Sequence, residues 1–241
     1  MSEQLQSDFD KLVKTSKFSN EEIQFKKNFL NNFIKKGFPN RKQEDWKFLD
    51  ISQIIKKNIS NLSYFNDYSQ SNKIDPSIFV DGLEHNKIIF INGRIEKIDF
   101  NFEDQNKIEI IDETKKDISF DYENSLIDLN SAFIDKIFKI LIKKNYSLKK
   151  PLIIYHSTND KIKSTNINLR LDFELGENSC LKLIDYFADT TAKNFINIFY
   201  NFNLEKDSIL KNYKIDKFRN NDLKYSFNNI CLLYTSDAAD E

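Results

Sequence analysis

The chain has 241 residues, of which 40% are hydrophobic and 30% charged, a balance typical of soluble globular proteins rather than of disordered ones. Its 36 basic and 37 acidic residues are interspersed, and the net charge of −1 argues against nucleic acid or a membrane surface as a partner. Because no run of 18 apolar residues and no secretory signal pattern occurs, the sequence predicts a cytoplasmic protein, and two cysteines are too few for a disulfide framework.

The first 60 residues are predicted to be helical. Apolar residues at helical spacing indicate the first helix, namely Leu5, Phe9, Leu12 and Val13. The second helix begins at a capping-box pair, Ser19 and Glu22, and it ends at Gly37, shortly before Pro39. A further apolar pattern, which starts at Ile51, follows this stop.

The chain changes character after this helical part. Residues 60–77 are polar and are predicted to be a connector at a domain boundary. A hairpin is predicted around the dipeptide Asn92-Gly93, because apolar residues alternate on both sides of it, namely Ile89, Ile91, Ile95 and Ile98. Residues 101–125 are acidic and irregular, and residues 126–133 are predicted to form a short helix.

The stretch 166–214 repeats itself at an offset of 29 residues, and the residues that align are Phe173 with Phe202, Leu175 with Leu204, Ser179 with Ser208 and Leu181 with Leu210. Going one offset further back aligns Leu152 with Leu181, Ile154 with Leu183, Ile140 with Leu169 and Ile142 with Leu171. Apolar residues alternate within each unit, which indicates strands. A fixed period of this length is typical of stacked repeats, so the sequence predicts a β-solenoid that starts at residues 138–142.

Residues 231–241 break both the strand period and the Asn/Lys/Ile-rich composition. They resemble the translation of a sequencing adapter, and we therefore exclude them from the fold prediction as a non-native tail. The native chain is then expected to continue beyond Ile230, and the solenoid to be cut within its stack. Such an end would expose a strand edge and apolar residues such as Leu223 and Phe227, so we expect the 241-residue chain to aggregate.

Few residues stand out as candidates for chemistry. His156 lies beside Ser157, but neighbouring strand residues point to opposite faces, so we interpret His156 and the distant His85 as structural. Cys180, at the start of a predicted strand, is interpreted as a small buried hydrophobe rather than a ligand. Trp46, the only tryptophan, is interpreted as a core anchor of the helical part rather than as a binding hot spot.

The carboxylates form no recognisable pair. Asp172 and Glu174 share a strand face, and Asp185 would share one with Asp189 only in a longer strand. A carbohydrate-active β-solenoid enzyme with acidic wall residues is thus an alternative, but solvated outward positions are the better explanation of these residues. The four glycines are too scattered for either glycine-rich nucleotide-binding motif.

Several segments, taken in order, resemble one family. Residues 38–48 contain Pro-x-Arg-x-x-Glu-x-Trp-Lys-Phe, a signature that lies near the amino terminus in the SufD branch of the SufB/SufD family of iron–sulfur cluster assembly scaffolds. The later segments that resemble the family are the strand and Asn-Gly-Arg turn at 88–94, Leu-Asn-Ser-Ala-Phe at 129–133, the proline-led strand start at 148–152, and the rungs at 181–186 and 212–215. The resemblance covers about residues 20–230.

This resemblance implies an α+β chain with an amino-terminal helical domain, residues 1–62, and a connector with the hairpin, residues 63–125. A right-handed parallel β-helix, incomplete at residues 126–230, would follow, and then the tail at 231–241. It also implies a non-enzymatic subunit that pairs with SufB and recruits the ATPase SufC in the cytoplasm. Family members are roughly twice as long, and their candidate cluster ligands lie in the half that is absent here. No catalytic, cofactor-binding or metal residue is therefore carried over, and a cluster is expected only in the assembled complex.

Overall fold

A computed structural model of the protein describes residues 2–59, 61–67, 72–113, 124–159, 161–188, 193–217 and 221–233. The four helices are α1 (Ser2–Thr15), α2 (Asn20–Lys36), α3 (Ile51–Asn58) and α4 (Ser125–Phe133). The ten strands are β1 (Asn86–Ile91), β2 (Arg94–Asp99), β3 (Ile108–Glu113), β4 (Ile137–Ile142), β5 (Leu152–Ser157), β6 (Asn166–Leu175), β7 (Cys180–Phe187), β8 (Phe195–Leu204), β9 (Ile209–Asp216) and β10 (Leu223–Leu232).

The predicted helix boundaries are confirmed. Ser19 and Glu22 form both hydrogen bonds of a capping box at the start of α2, and this satisfies backbone groups that the helix itself leaves unpaired. Gly37 ends α2 with a φ of 69°, a left-handed value that glycine adopts without steric cost. Asp50 caps α3 by accepting a hydrogen bond from the backbone N–H of Gln53.

From β4 to β10, successive strands alternate between two sheets. The first sheet has the order β2-β1-β5-β7-β9 and the second the order β10-β8-β6-β4-β3. Neighbours from β5 to β9 and from β4 to β10 pair in parallel. The chain therefore coils through about three turns of a β-solenoid, which confirms the predicted β-helix.

The register of the coils confirms part of the predicted repeat. Phe173 lies opposite Phe202 and Leu181 opposite Leu210, as the offset of 29 predicts. The earlier alignments are wrong, because Leu152 pairs with Leu183 and Ile140 pairs with Phe173. Likewise, Ile154 pairs with Asp185, and Ile142 pairs with Leu175. These slips span an even number of residues, so each side chain still faces the predicted side of its sheet.

Turns with left-handed residues recur at one corner of the solenoid. Asn145, Asn178 and Asp207 all have positive φ, between 55° and 57°, and they occupy corresponding turns of successive coils. Gly176 lies so close to the preceding coil that an added Cβ would stand 2.6 Å from the backbone nitrogen of Lys144. Only glycine fits there without moving the neighbouring backbone.

Antiparallel strands lie at the first edge of each sheet. β1 and β2 form the predicted hairpin, and Asn92 and Gly93 have φ values of 54° and 81°, as a type I′ turn requires. β3 pairs antiparallel with β4, so the prediction that residues 101–125 are irregular is wrong for 108–113. Residues 114–123 of that stretch lie outside the described residues.

Three apolar cores lie within the described residues, and two of them are large. The solenoid interior contains inward side chains of both sheets, and Phe173 and Phe202 stack at 5.0 Å within it. The second core joins α1, α2, α3 and α4 to the outer face of the second sheet, where Phe195 packs against the ring of Phe38. Lys26 is buried in this core, and its ammonium donates to the carbonyl oxygen of Ile134, just after α4.

β10 continues through Cys231 and Leu232, the first residues of the segment that the sequence analysis sets apart, and these pair with Asn203 and Leu204 of β8. Residues 234–241 lie outside the described residues. Within the described part of the chain, no helix is both long and apolar enough to cross a membrane.

Candidate functional site

His156 lies inside the solenoid rather than at an exposed strand end. Its ring is sandwiched between Phe90, with centroids 5.7 Å apart, and Phe187, with centroids 4.5 Å apart, and both pairs are close to parallel. Ser157 points to the opposite face of β5, where it lines a separate polar pocket. The two side chains therefore lie on opposite faces of β5, as the strand geometry predicts.

Three polar side chains meet in this interior. The hydroxyl of Tyr200 donates to Oδ1 of Asp185 at 2.6 Å, and Nε2 of His156 lies 3.3 Å from the same oxygen. All three side chains are almost fully buried. Burial, reinforced by the carboxylate of Asp185, raises the pKa of Tyr200 well above its ordinary value, so the phenol stays protonated as a hydrogen-bond donor.

A histidine, a carboxylate and a phenol together could transfer protons, but the burial of these three side chains argues for a structural role. The three side chains contact each other and aromatic rings, and their polar atoms have almost no solvent-accessible area. Tyr200 supplies a hydrogen bond to Oδ1 of Asp185, whereas Oδ2 of Asp185 and Nδ1 of His156 have no hydrogen-bond partner among the described residues. We interpret the cluster as a polar clamp that joins the two sheets, because Asp185 and His156 lie in the first sheet and Tyr200 in the second.

Sequence reasoning missed Tyr200 altogether. Tyr200 occupies an inward position of β8, between the inward residues Ile198 and Phe202. Asp185 occupies an inward position of β7, between the inward residues Leu183 and Phe187. A carboxylate at an inward position of an otherwise apolar strand face is the sequence signal that could have revealed this cluster.

His85 lies on the opposite side of the first sheet. Its Nδ1 is 2.6 Å from the carbonyl oxygen of Leu83, and its Nε2 is 2.7 Å from the hydroxyl of Tyr155, which also accepts the backbone N–H of Val80. Burial lowers the pKa of His85, and the neutral ring suits an Nε2 that accepts a hydrogen bond from Tyr155. These contacts attach the segment before β1 to the sheet, so the structural interpretation is supported.

The predicted outward carboxylates need a correction. Asp172 is buried and forms an ion pair with Arg170, because helices cover the outer face of the second sheet. Glu174 pairs with Lys139 at 2.5 Å, and Asp185 lies inside the solenoid. Asp189 lies outside the described residues. The second sheet thus separates Asp185 from Asp172 and Glu174, and the three described carboxylates do not line one wall.

Neither cysteine lies in a group of ligands. Cys180 is half-buried at the start of β7, and Cys231 is exposed in β10. In the described ranges, no three His, Cys, Asp or Glu side chains come together as a possible metal site. The expectation that this chain holds no cofactor by itself stays a prediction.

Trp46 contacts the far end of the solenoid. It closes a short 3₁₀ turn, and its half-buried ring lies 5.8 Å from the ring of Tyr225 in β10. The interpretation as a core residue is thus only partly correct, since the ring packs at the border of the helical core rather than inside it. Phe48, two residues later, is 86% exposed.

Among the described residues, the last turn of the solenoid has an edge with which no further strand pairs, and we call it the open end. It consists of β9 and β10, and its exposed apolar residues are Ile209, Tyr213, Ile215, Ile230, Leu232 and Leu233. Leu223 and Phe227, which the sequence predicted to be exposed, are half-buried instead, and Phe227 stacks on Phe199. An exposed, largely apolar strand edge is a template for pairing with another strand.

Charged groups replace apolar ones at inward positions of this open end. Lys214 of β9 lies opposite Asp185 of β7, and the Lys214 ammonium donates a hydrogen bond to the hydroxyl of Ser226. In the second sheet, Lys224 of β10 lies opposite Ile196 of β8, and its ammonium forms an ion pair with the carboxylate of Asp216. The inward positions of the last coil are therefore partly charged, although Ile230 and Leu232 continue the apolar interior there.

The open end is the feature of this structure that most resembles a functional surface. It combines two edge strands, exposed apolar side chains and some charged inward positions. No protein-family model matches the chain, and no curated protein matches it. A function for this surface therefore depends on its geometry and on the sequence segments described above.

Proposed function

We propose that the chain is a SufD-like subunit of the SufB/SufD family, a non-enzymatic scaffold that pairs with SufB and recruits the ATPase SufC in the cytoplasm. In this proposal the solenoid is right-handed, the helices form the amino-terminal domain of the family, and a cluster is held only by the assembled complex. The observation that carries the proposal is the order of the family-like segments along a chain that forms helices first and a parallel β-solenoid afterwards.

The family-like segments occupy positions where sequence is constrained by packing. Leu129, Ala132 and Phe133 are buried on α4, and the segment 88–91 forms the core of β1. Residues 38–48 connect α2 to α3 and bring Trp46 against Tyr225. These positions support a shared fold, because they join the helices to the solenoid.

The open end supports a role in protein contacts. Five exposed apolar side chains on two edge strands, with Leu233 just after β10, are unusual for a surface that faces only water. Further coils of a longer chain, or a partner that adds a strand, would pair with these edge strands and cover the apolar residues. Catalysis by an acidic wall has no comparable support, because Asp172 and Glu174 are each paired with a cation.

The test is co-expression of the full-length gene with SufB and SufC, followed by affinity purification of the tagged protein. We expect both partners to be retained, and retention of neither would overturn the proposal. A matched pair of variants checks that the solenoid is responsible. Phe173→Asp, in the buried interior, should abolish retention, while Ile111→Asp, at a 39% exposed position, should preserve it.

A further inference from the structure

The outer face of the first sheet is covered over only part of its width. Residues 74–85, which precede β1 and which we call the covering segment, lie on this face, where the ring of Phe79 packs 5.2 Å from the ring of Tyr155 in β5. On β9, by contrast, Tyr213 is 56% exposed and Ile215 is 44% exposed. The described residues thus cover β5 and leave the outer face of β9 uncovered.

The uncovered part of this face combines charged and apolar side chains, and we call it the lysine–tyrosine face. Its residues occupy alternate positions of β7 and β9, and the residues between them point into the solenoid. They are Lys182 and Ile184 of β7, and Lys211, Tyr213 and Ile215 of β9. A further coil of a longer solenoid would pair with the edge of β9 and would leave this outer face accessible.

Two lysines lie side by side on this face. Lys182 and Lys211 are exposed and lie opposite each other on β7 and β9, and neighbouring strands are about 4.8 Å apart. Like charges at such positions repel each other, and no described carboxylate forms an ion pair with either lysine. Their neighbours along and across the two strands on this face carry no negative charge, and they are Cys180, Ile184, Ile209 and Tyr213. An anionic group placed over both lysines would relieve the repulsion.

The apolar part of the face lies two residues further along each strand. There, Ile184 of β7 lies opposite Tyr213 of β9. Because each strand residue advances the chain by about 3.3 Å, this apolar pair is about 7 Å from the two lysines. Alternate side chains of an extended peptide have the same separation. An extended segment can therefore place a carboxylate over the lysines and an apolar side chain over Tyr213 at the same time.

The covering segment shows which kind of chain the first sheet already holds on its outer face. The segment contains three acidic residues and neither lysine nor arginine. Its Glu84 forms an ion pair with Lys150 at 2.7 Å, and the ammonium of Lys87 in β1 lies over the ring of Phe79 at 5.2 Å. Lysines at this sheet thus contact acidic and aromatic side chains of an apolar segment, so the same chemistry suits the uncovered part.

We propose that the lysine–tyrosine face binds an acidic, extended segment of a partner protein. Carboxylates of the segment lie against Lys182 and Lys211, and its apolar side chains lie against Ile184, Tyr213 and Ile215. Nucleic acids and anionic lipids are less suited, because only two of the five side chains of this face are cationic. The inference does not rest on the proposed scaffold function, since it concerns an outer face rather than the edge at the open end.

The probe is a fluorescein-labelled peptide with the sequence of residues 74–84, which has the acidic and apolar composition described above. We expect saturable binding at micromolar concentrations of the protein, measured as fluorescence anisotropy. A peptide in which amides replace the three carboxylates should bind about tenfold more weakly, because it loses the attraction of both lysines. Equal binding of the two peptides, or no saturable binding of the acidic one, would overturn the proposal.

Charge reversal tests the two lysines. Lys182→Glu with Lys211→Glu should weaken binding of the acidic peptide about tenfold. If circular dichroism shows that this variant does not fold, the milder Lys182→Ala with Lys211→Ala replaces it, with an expected loss of about threefold. The matched control is Lys56→Glu with Lys57→Glu, which makes the same change in charge at exposed positions of α3 and should bind as the wild type does. An equal loss in this control would mean that net charge alone governs binding, against the proposal.

Cross-linking locates the bound peptide. A carbodiimide couples a peptide carboxylate to a lysine amine that contacts it, and mass spectrometry should identify Lys182 and Lys211 as the main coupled residues. Tyr213→Ala should weaken binding about threefold, because the apolar contact is lost. Coupling only at other lysines, or tighter binding of an oligothymidylate or of phosphatidylserine vesicles to the same two lysines, would overturn the choice of an acidic polypeptide.

Discussion

The two ends of the solenoid differ in how their edge strands are protected. At the first end, β2 and β3 run antiparallel to their neighbours, and four of the six residues of β2 and three of the six of β3 are charged. At the open end, β9 and β10 continue the parallel stack, and β10 has one charged residue in ten. Charged, short edge strands resist further pairing, whereas long apolar ones invite it.

The first end thus has the features of a terminus, whereas β9 and β10, at the edge of the described residues, keep the parallel pairing of the inner strands of the stack. A reversed strand direction ends the repeat, because a further coil would have to pair with a strand of the wrong polarity and register. The open end keeps the polarity of the stack and leaves its inward side chains uncovered. The two ends should therefore respond differently to equivalent substitutions.

The largest difference is expected for apolar truncation. Phe90, at the first end, is 1% exposed and packs against His156 and Phe138, so Phe90→Ala should lower the free energy of unfolding by about 3–5 kcal/mol. Ile230, at an inward position of the open end, is 58% exposed, and Ile230→Ala should change it by less than about 0.5 kcal/mol. Urea titrations followed by circular dichroism measure both values, and equal losses would refute the comparison.

The polar clamp lies between the two ends and should have an intermediate effect. Tyr200→Phe removes the donor to Asp185 and leaves its carboxylate oxygen buried without that bond, at a cost of about 1.5–3 kcal/mol. Tyr213→Phe removes the same hydroxyl from a 56% exposed residue and should change the free energy of unfolding by less than about 0.5 kcal/mol. If the two variants are equally stable, the clamp does not join the sheets.

A smaller, pH-dependent effect is expected at His85, where burial holds the pKa below the ordinary 6.5. The unfolded chain then takes up the proton at a higher pH than the folded protein does. The contribution of His85 to stability is complete above pH 6.5 and is lost as the pH falls from there through the folded pKa. The difference in stability between wild type and His85→Gln should therefore shrink as the pH is lowered from 7 to 5, and a constant difference would contradict this.

Local patterns were enough to predict much of the fold. The capping box at Ser19, the Asn92-Gly93 turn and the 29-residue offset of Phe173 and Phe202 each depend on residues that are close in sequence or strictly periodic, and all are confirmed. The coils before β7 were misaligned because alternation at a period of two looks the same after a slip of two residues. The pairing of Leu152 with Leu183 shows such a slip.

The buried polar groups could not be predicted from local patterns. Asp185 and Tyr200 meet because two different sheets place them at one level, and no short-range periodicity carries that information. Asp172 was expected to be solvated because the covering helices lie far away in sequence.

The last prediction separates stability from association. Ile230→Lys with Leu232→Lys places two charges on the exposed edge of β10, and both residues are already 58% exposed, so the free energy of unfolding should change by less than about 0.5 kcal/mol. Self-association, which the sequence predicts for this chain, should nevertheless decrease, because like charges on an edge strand oppose pairing with a second copy.

Sedimentation velocity measures this change as an increase in the monomer fraction. The matched control is Ile98→Lys with Ile111→Lys, which adds the same charges to β2 and β3, where both residues are also exposed. These strands are already rich in charge, so we expect little change in the monomer fraction. An equal gain from both double variants would mean that the two ends associate alike, and the first end would then not be the protected one.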